Sequence, residues 1–154
     1  MKHAIFAALA SMSIAAPALA NGDGGVEAWR TEPQRVFEAT EIEIGAFTWV
    51  ARPVVVFADS PLDPAFQTQV ELLTRDLDAV SERDILLVTD TDPEAHTDLR
   101  RKLRPRGFML VLMGKDGGVK LRKPFPWDMR ELGRAIDKMP MRQREISERR
   151  GSSS

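Results

Sequence analysis

Pro53-Val54-Val55-Val56-Phe57-Ala58-Asp59-Ser60-Pro61-Leu62-Asp63-Pro64 is the stretch from which the fold is read. Its first six residues are apolar and rich in β-branched side chains, which predicts a central strand covered on both faces. Asp63-Pro64 then opens a helix, with Asp63 as the N-cap and Pro64 at the first helical position, where a missing N–H costs nothing. Phe66, Val70, Leu73, Leu77 and Val80 follow at steps of four and three and give that helix one buried stripe.

Working outward, Asp84 to Thr89 carries Ile85-Leu86-Leu87-Val88 and reads as a second buried strand, parallel to the first through the helical crossover. A shorter helix is predicted from about Pro93 to Leu103, capped by Thr91 or Asp92 and stopped by Pro105. Phe108 to Met113 is the third strand. It turns at Gly114-Lys115-Asp116-Gly117-Gly118 into Val119-Lys120-Leu121-Arg122, whose alternation and lysine suit an exposed edge. Asp128 caps a last helix with Glu131 in a capping box, Trp127 stapling onto Leu132, and Met129, Leu132, Ile136 and Met139 facing inward. Met139-Pro140-Met141-Arg142 reads as the end of that helix, continued by a further turn, and residues 148–154 as a disordered tail.

The order β-α-β-α-β-β-α is that of an α/β, thioredoxin-like fold with a central four-stranded mixed sheet flanked by helices. The chain has no cysteine. Thiol–disulfide exchange needs a thiolate to attack a sulfur, so no residue here performs the chemistry usual for that fold. Where redox members carry Cys-x-x-Cys, after the first core strand, this sequence has Asp59-Ser60-Pro61-Leu62-Asp63. The position of the usual cis-proline falls near Met109.

Residues 1–20 join Lys2 and His3 to an apolar run from Ala4 to Ala16 and a small-x-small site at Ala18-Leu19-Ala20, the pattern of a cleaved secretory signal. Ser11, Ser13 and Pro17 break the run, which is shorter than the ~20 apolar residues of a membrane span. The expectation is a periplasmic or secreted protein with no transmembrane segment after cleavage. Residues 21–40 read as a flexible leader or a short helix interrupted by Pro33, and residues 41–147 as one thioredoxin-like domain. A chain of this length buries enough surface for a single core without disulfide or metal staples.

Trp49 and Arg52 precede the first strand, Glu82-Arg83-Asp84 enters the second, Gly114 to Arg122 forms the hairpin, and Ile136-Asp137-Lys138-Met139-Pro140-Met141-Arg142-Gln143 ends the last helix. In these segments, over roughly Phe47 to Ile146, the chain resembles a domain-of-unknown-function family (DUF4174) of secreted bacterial proteins. That family is similar to the C-terminal domain of animal sushi-repeat-containing extracellular proteins. The resemblance implies a thioredoxin-like fold, an extracellular setting and, through the animal members, adhesion or matrix association. It brings no catalytic residues.

The formal net charge of −1 hides a division along the chain. Asp59 to Asp98 holds eleven acids against Arg75 and Arg83, whereas Leu99 to Pro126 holds nine bases against Asp116. Arg100, Arg101, Lys102, Arg104 and Arg106 gather at one helix end, and Lys115, Lys120, Arg122 and Lys123 on the following hairpin. One reading is a basic face for an acidic protein or a polyanionic envelope polymer. The other is that the cations complement a helix C-terminus and guard an edge strand. The candidate binding set is Arg101, Lys115, Asp116, Gly117, Gly118, Lys120 and Arg122, with Arg142 joining it from the Met-Pro-Met-Arg ending. Near-neutral charge and sparse aromatics in the basic segment argue against nucleic acid.

No motif calls for a cofactor or metal. Asp90, Asp92, Glu94, His96 and Asp98 lie close in sequence, but Pro93 and a missing glycine break the calcium-loop pattern, and helix caps account for the acids. The lysine among glycines at Gly114 to Gly118 leads into a strand rather than a helix, as a hairpin does and a phosphate loop does not. The enzymatic alternative is a cysteine-free hydrolase or metal-dependent enzyme using Asp59, Asp63 and Asp90 at the strand ends.

Overall fold

The computed structural model describes residues 22–154; the expected secretory signal at residues 1–20 lies outside the described residues. Six helices and five strands follow in the order α1 (Gly22–Thr31), β1 (Val36–Glu38), β2 (Arg52–Phe57), α2 (Pro64–Thr74), α3 (Leu77–Glu82), β3 (Ile85–Asp90), α4 (Asp98–Leu103), β4 (Met109–Met113), β5 (Val119–Lys123), α5 (Met129–Asp137) and α6 (Pro140–Ser152). The strands form one mixed sheet ordered β1-β3-β2-β4-β5. β1 and β2 run parallel to β3, and β4 is antiparallel to both β2 and β5.

All six residues of β2 are buried, as its unbroken apolar run demands of a central strand. Alternate residues serve opposite cores. Val55 and Phe57 join Leu86, Val88, Val111 and Met113 beneath α1 and α4, through Val26, Trp29, Leu99 and Leu103. Val54 and Val56 join Ile85, Leu87, Leu110 and Leu112 beneath α2, α3 and α5, through Leu73, Val80, Leu132 and Ile136. Two helical layers therefore sandwich the sheet, the arrangement that a strand apolar on both faces requires.

The sheet has five strands rather than the expected four. Val36-Phe37-Glu38 is too short to show alternation, yet it pairs with Leu87-Val88-Thr89 and buries Phe37 completely. With α1 packed through Val26 and Trp29, residues 22–40 form a helix and an edge strand of the folded body, so of the two readings of this stretch the short helix describes it and the flexible leader does not. The expected disordered tail is corrected as well, because α6 runs to Ser152. Pro140 sits in its first turn and Met139, extended at ψ 137°, is its N-cap residue, so a new helix starts where the preceding one stops.

Two single helices of the sequence reading are each divided. Asp76 accepts a hydrogen bond from Ala79 N–H at 3.0 Å and restarts the chain as α3, which lets one apolar stripe cross two helices. Pro93–Ala95 is a separate 3₁₀ turn closed by His96 in the left-handed region, and Thr97 caps α4.

Candidate functional site

The cations chosen from the sequence fall into two groups, and the first is internal. Arg142 is nearly inaccessible, its side chain only 2% exposed. Its guanidinium meets Glu82 at 3.0 Å, Asp137 at 3.2 Å and Glu145 at 3.6 Å, and donates to the Glu82 carbonyl at 3.1 Å. Lys115, 11% exposed, lies 2.8 Å from Asp84 and 2.9 Å from Glu145. Arg52 at the start of β2 is buried, donating to Glu145 and to the Arg83 carbonyl, each at 2.9 Å. Arg83 completes the cluster through a two-pronged contact with Asp137, at 2.8 and 3.1 Å.

This cluster fastens α6 at the ends where β2 and β3 begin. α6 has one fully buried residue, and that residue is Arg142, so the helix is held by ion pairs rather than by an apolar stripe. Burial pushes the Glu145 carboxyl upward, but the hydrogen bonds from Arg52 and Lys115 outweigh it and hold its pKa below the ordinary value. Asp137 behaves alike: burial opposes, and Arg83 and Arg142 prevail. Arg83 in turn is raised, chiefly by its Asp137 hydrogen bond. Lys115 and Arg142 of the sequence-derived binding set are thus engaged by carboxylates of the fold itself.

The second group lies outside. Asp116, Gly117 and Gly118 form the hairpin turn, Gly117 at φ +79° and Asp116 accepting from Gly118 N–H at 3.0 Å. Lys120 contacts Asp116 at 2.8 Å, and that hydrogen bond is the main cause of the lowered Asp116 pKa, with Gly118 N–H second. Arg122 donates to the Leu103 carbonyl at the end of α4, and Arg101 pairs with Asp98 on its own helix. The contact from Arg122 joins the edge strand β5 to the α4 terminus. Lys102, Arg104 and Arg106 are exposed beside it, with no side-chain hydrogen bond or ion pair among the described residues. These three belong to the basic cluster legible in the sequence, and exposure singles them out as the available charges.

At the opposite end of the strands, the carboxylates of the enzymatic alternative have separate duties. Asp90 accepts from Arg100 Nη2 at 2.8 Å and from Thr97 Oγ1, while Arg100 also donates to the Ala58 carbonyl at 2.9 Å and lies 5.5 Å from the Phe57 ring centre. Asp63 caps α2 through Ala65 N–H at 2.8 Å and Phe66 N–H at 3.4 Å. Asp59 remains largely exposed, 3.8 Å from Arg100. An open groove of about 590 Å³ runs past Glu38, Thr40, Pro61, Asp90, Asp92 and Thr97. Its one buried carboxylate, that of Asp90, already faces an arginine and a hydroxyl. Among the described residues no three His, Asp or Glu side chains converge as a metal site, and His96 is exposed on the surface.

Sequence reasoning missed Gln69, a polar residue with no exposed surface on α2. Its amide donates to the Trp127 carbonyl at 2.7 Å and accepts from Trp127 N–H at 2.8 Å, fixing the loop that enters α5. Periodicity ranks a glutamine as surface, and no local pattern announces a partner 58 residues away.

A thioredoxin-like sheet with Asp-Ser-Pro-Leu-Asp at its strand-end loop and no thiol anywhere defines a cysteine-free member of that fold class. The chain belongs to the family described as Domain of unknown function (DUF4174), whose profile matches residues 43–145. Among solved structures it is similar to reduced desulfothioredoxin from Desulfovibrio vulgaris Hildenborough, at 20% identity and a TM-score of 0.50 over 68% of this chain and 97% of that one. That likeness shows the fold. No curated protein matches. No helix among the described residues is long and apolar enough to cross a membrane.

Proposed function

We propose that this domain is a non-catalytic, extracytoplasmic binding module that engages an acidic surface of a partner protein through the face formed by the α4 terminus and strand β5. The observation that carries this reading is the exposure of Lys102, Arg104 and Arg106 with no ion-pair partner among the described residues, on the side where Arg122 of the edge strand reaches the α4 terminus. Cations at a helix C-terminus gain from the macrodipole, but a single capping contact meets that need, and Arg122 already reaches a terminal carbonyl. A cluster of one sign speeds association with an oppositely charged surface and weakens as salt rises. The extracytoplasmic setting rests on the composition of residues 1–20.

Affinity capture from envelope extract at two salt concentrations tests the reading, with a Lys102→Glu, Arg104→Glu, Arg106→Glu triple variant beside the wild type. The expected result is a protein retained by wild type, released by salt and lost with the triple variant. Retention of the same proteins by both forms would contradict it, and capture of an acidic polymer instead would change the partner class.

A further inference from the structure

Arg104 ends α4 at φ 49°, the left-handed position where a helix most often closes on glycine. An arginine there carries backbone strain that a glycine would avoid. The strain keeps a cation at this point: Lys102, Arg104 and Arg106 stand on alternate residues, all exposed and none with an ion-pair partner among the described residues. Their segment is fixed from beneath. Arg104 N–H donates to the Arg100 carbonyl at 2.9 Å, Arg122 donates to the Leu103 carbonyl, and Gly107 at φ 59° follows in the turn. A backbone already held in place loses little freedom on binding.

A matching surface lies on the same molecule. The groove of about 590 Å³ sits where β1 and β3 end, and the charged residues that line it are all acids, Glu38, Asp90 and Asp92. Asp90 is taken by Arg100 and Thr97, whereas Glu38 and Asp92 are exposed and have no ion-pair partner among the described residues. Thr40 and Thr91 add hydroxyls that can accept from a guanidinium. The volume, inside the range of about 300–1,000 Å³ for ligand pockets, admits more than one side chain. β1 ends the sheet on one side and β5 on the other, so the groove beside β1 and the cations beside β5 do not meet within one molecule. Two copies can bring them together.

We propose that the protein associates head to tail with a second copy of itself, the segment from Lys102 to Arg106 of one copy seating in the groove beside β1 and β3 of the next. This rests on the binding-module reading above and names its partner: the acidic surface is the groove of another copy. The contact joins unlike surfaces from opposite edges of the sheet, so each assembly keeps one unfilled surface at either end and grows. Exposed ion pairs are individually weak and are screened by salt, so the association draws on several pairs and fades as salt rises.

Sedimentation equilibrium of the purified protein tests the contact, with thermal unfolding of every variant measured alongside. In about 0.02 M salt the wild-type mass should rise past the dimer with concentration; in about 1 M salt, where charges act over only about 3 Å, it should return to the monomer. Two variants should each be monomeric: the Lys102→Glu, Arg104→Glu, Arg106→Glu triple variant, and a Glu38→Gln, Asp92→Asn groove variant whose asparagine still caps the turn at Pro93. Mixed, they should form a complex of one copy of each and nothing larger, because the first keeps its groove and the second its cations. Arg104→Gly removes one charge and relieves the left-handed strain, so it should weaken association about threefold while the melting temperature holds or rises.

A wild type that is monomeric in low salt, or that stops at a closed dimer, overturns the head-to-tail contact. Association that survives high salt or either charge variant overturns it too, as does a mixture of the two variants that stays monomeric or an Arg104→Gly protein that associates as wild type does. Envelope capture separates the two readings. A monomeric wild type that still retains an acidic protein, lost with the triple variant, leaves the binding module standing with a different partner.

Discussion

Arg142 and Arg104 carry the same guanidinium, and the structure puts them to opposite uses. Around Arg142 the charges are enclosed, each cation facing two or three acceptors, and together they dock a helix that has almost no apolar stripe. Around Arg104, Lys102 and Arg106 likewise face solvent, and none of the three has an ion-pair partner among the described residues. The difference teaches that a charge cluster in a sequence holds two populations, one consumed by the fold and one left exposed. Only the second is evidence about function.

The sharpest way to break this division is to remove an inward charge. Arg142→Met keeps most of the volume and leaves Asp137 to Arg83, Glu145 to Arg52 and Lys115, and the largely exposed Glu82 to Arg83 and solvent, so what is lost is a set of hydrogen bonds to charged groups, about 1.5–3 kcal/mol. Urea unfolding should show a loss of that order. A loss within about 0.5 kcal/mol, the range of an ordinary surface substitution, would mean that the cluster does not hold α6.

The next effect is a dependence on acid. Asp137 and Glu145 bind protons less readily in the folded protein than in the unfolded chain, so their ionisation stabilises the fold above the ordinary carboxylate range. That contribution is lost as pH falls through their lowered folded values. Stability should stay level from neutral pH down to about pH 5 and then decline below about pH 4. The Asp137→Asn, Glu145→Gln double variant should be weaker at neutral pH and show a shallower acid decline. Parallel acid profiles for the two proteins would contradict the assignment.

A smaller effect comes from packing beneath the cluster. A Cβ on Gly133 would lie 3.2–3.3 Å from the Arg83 guanidinium, whose position is held by Asp137 and the Ala79 carbonyl. Alanine is worth about 1 kcal/mol more than glycine inside a helix. Here the tight contact offsets that gain, and Gly133→Ala should give a net loss of about 1 kcal/mol in urea unfolding. A clear stabilisation would show that Arg83 is free to move aside.

The strands and their order were legible because Val54-Val55-Val56-Phe57 and Ile85-Leu86-Leu87-Val88 are long apolar runs bounded by turns and caps, which local physics suffices to read. β1 was not, since three residues show no period and its stability comes from pairing with β3 across the chain. α6 was hidden for a related reason: its docking is ionic, so it lacks the apolar stripe by which a packed helix is recognised. The basic cluster of the site was visible as composition. Its division was not, because the partners of Lys115 and Arg142 stand up to 60 residues away, at Asp84, Glu82 and Glu145.

The measurement that tests the division most directly is urea unfolding and partner capture carried out on the same two proteins, Arg142→Met and the Lys102→Glu, Arg104→Glu, Arg106→Glu triple variant. Arg142→Met should lose about 1.5–3 kcal/mol of stability while its folded fraction still captures the partner; the triple variant should unfold within about 0.5 kcal/mol of wild type and capture nothing. A stable Arg142→Met, or a triple variant that still captures the partner, would contradict the account.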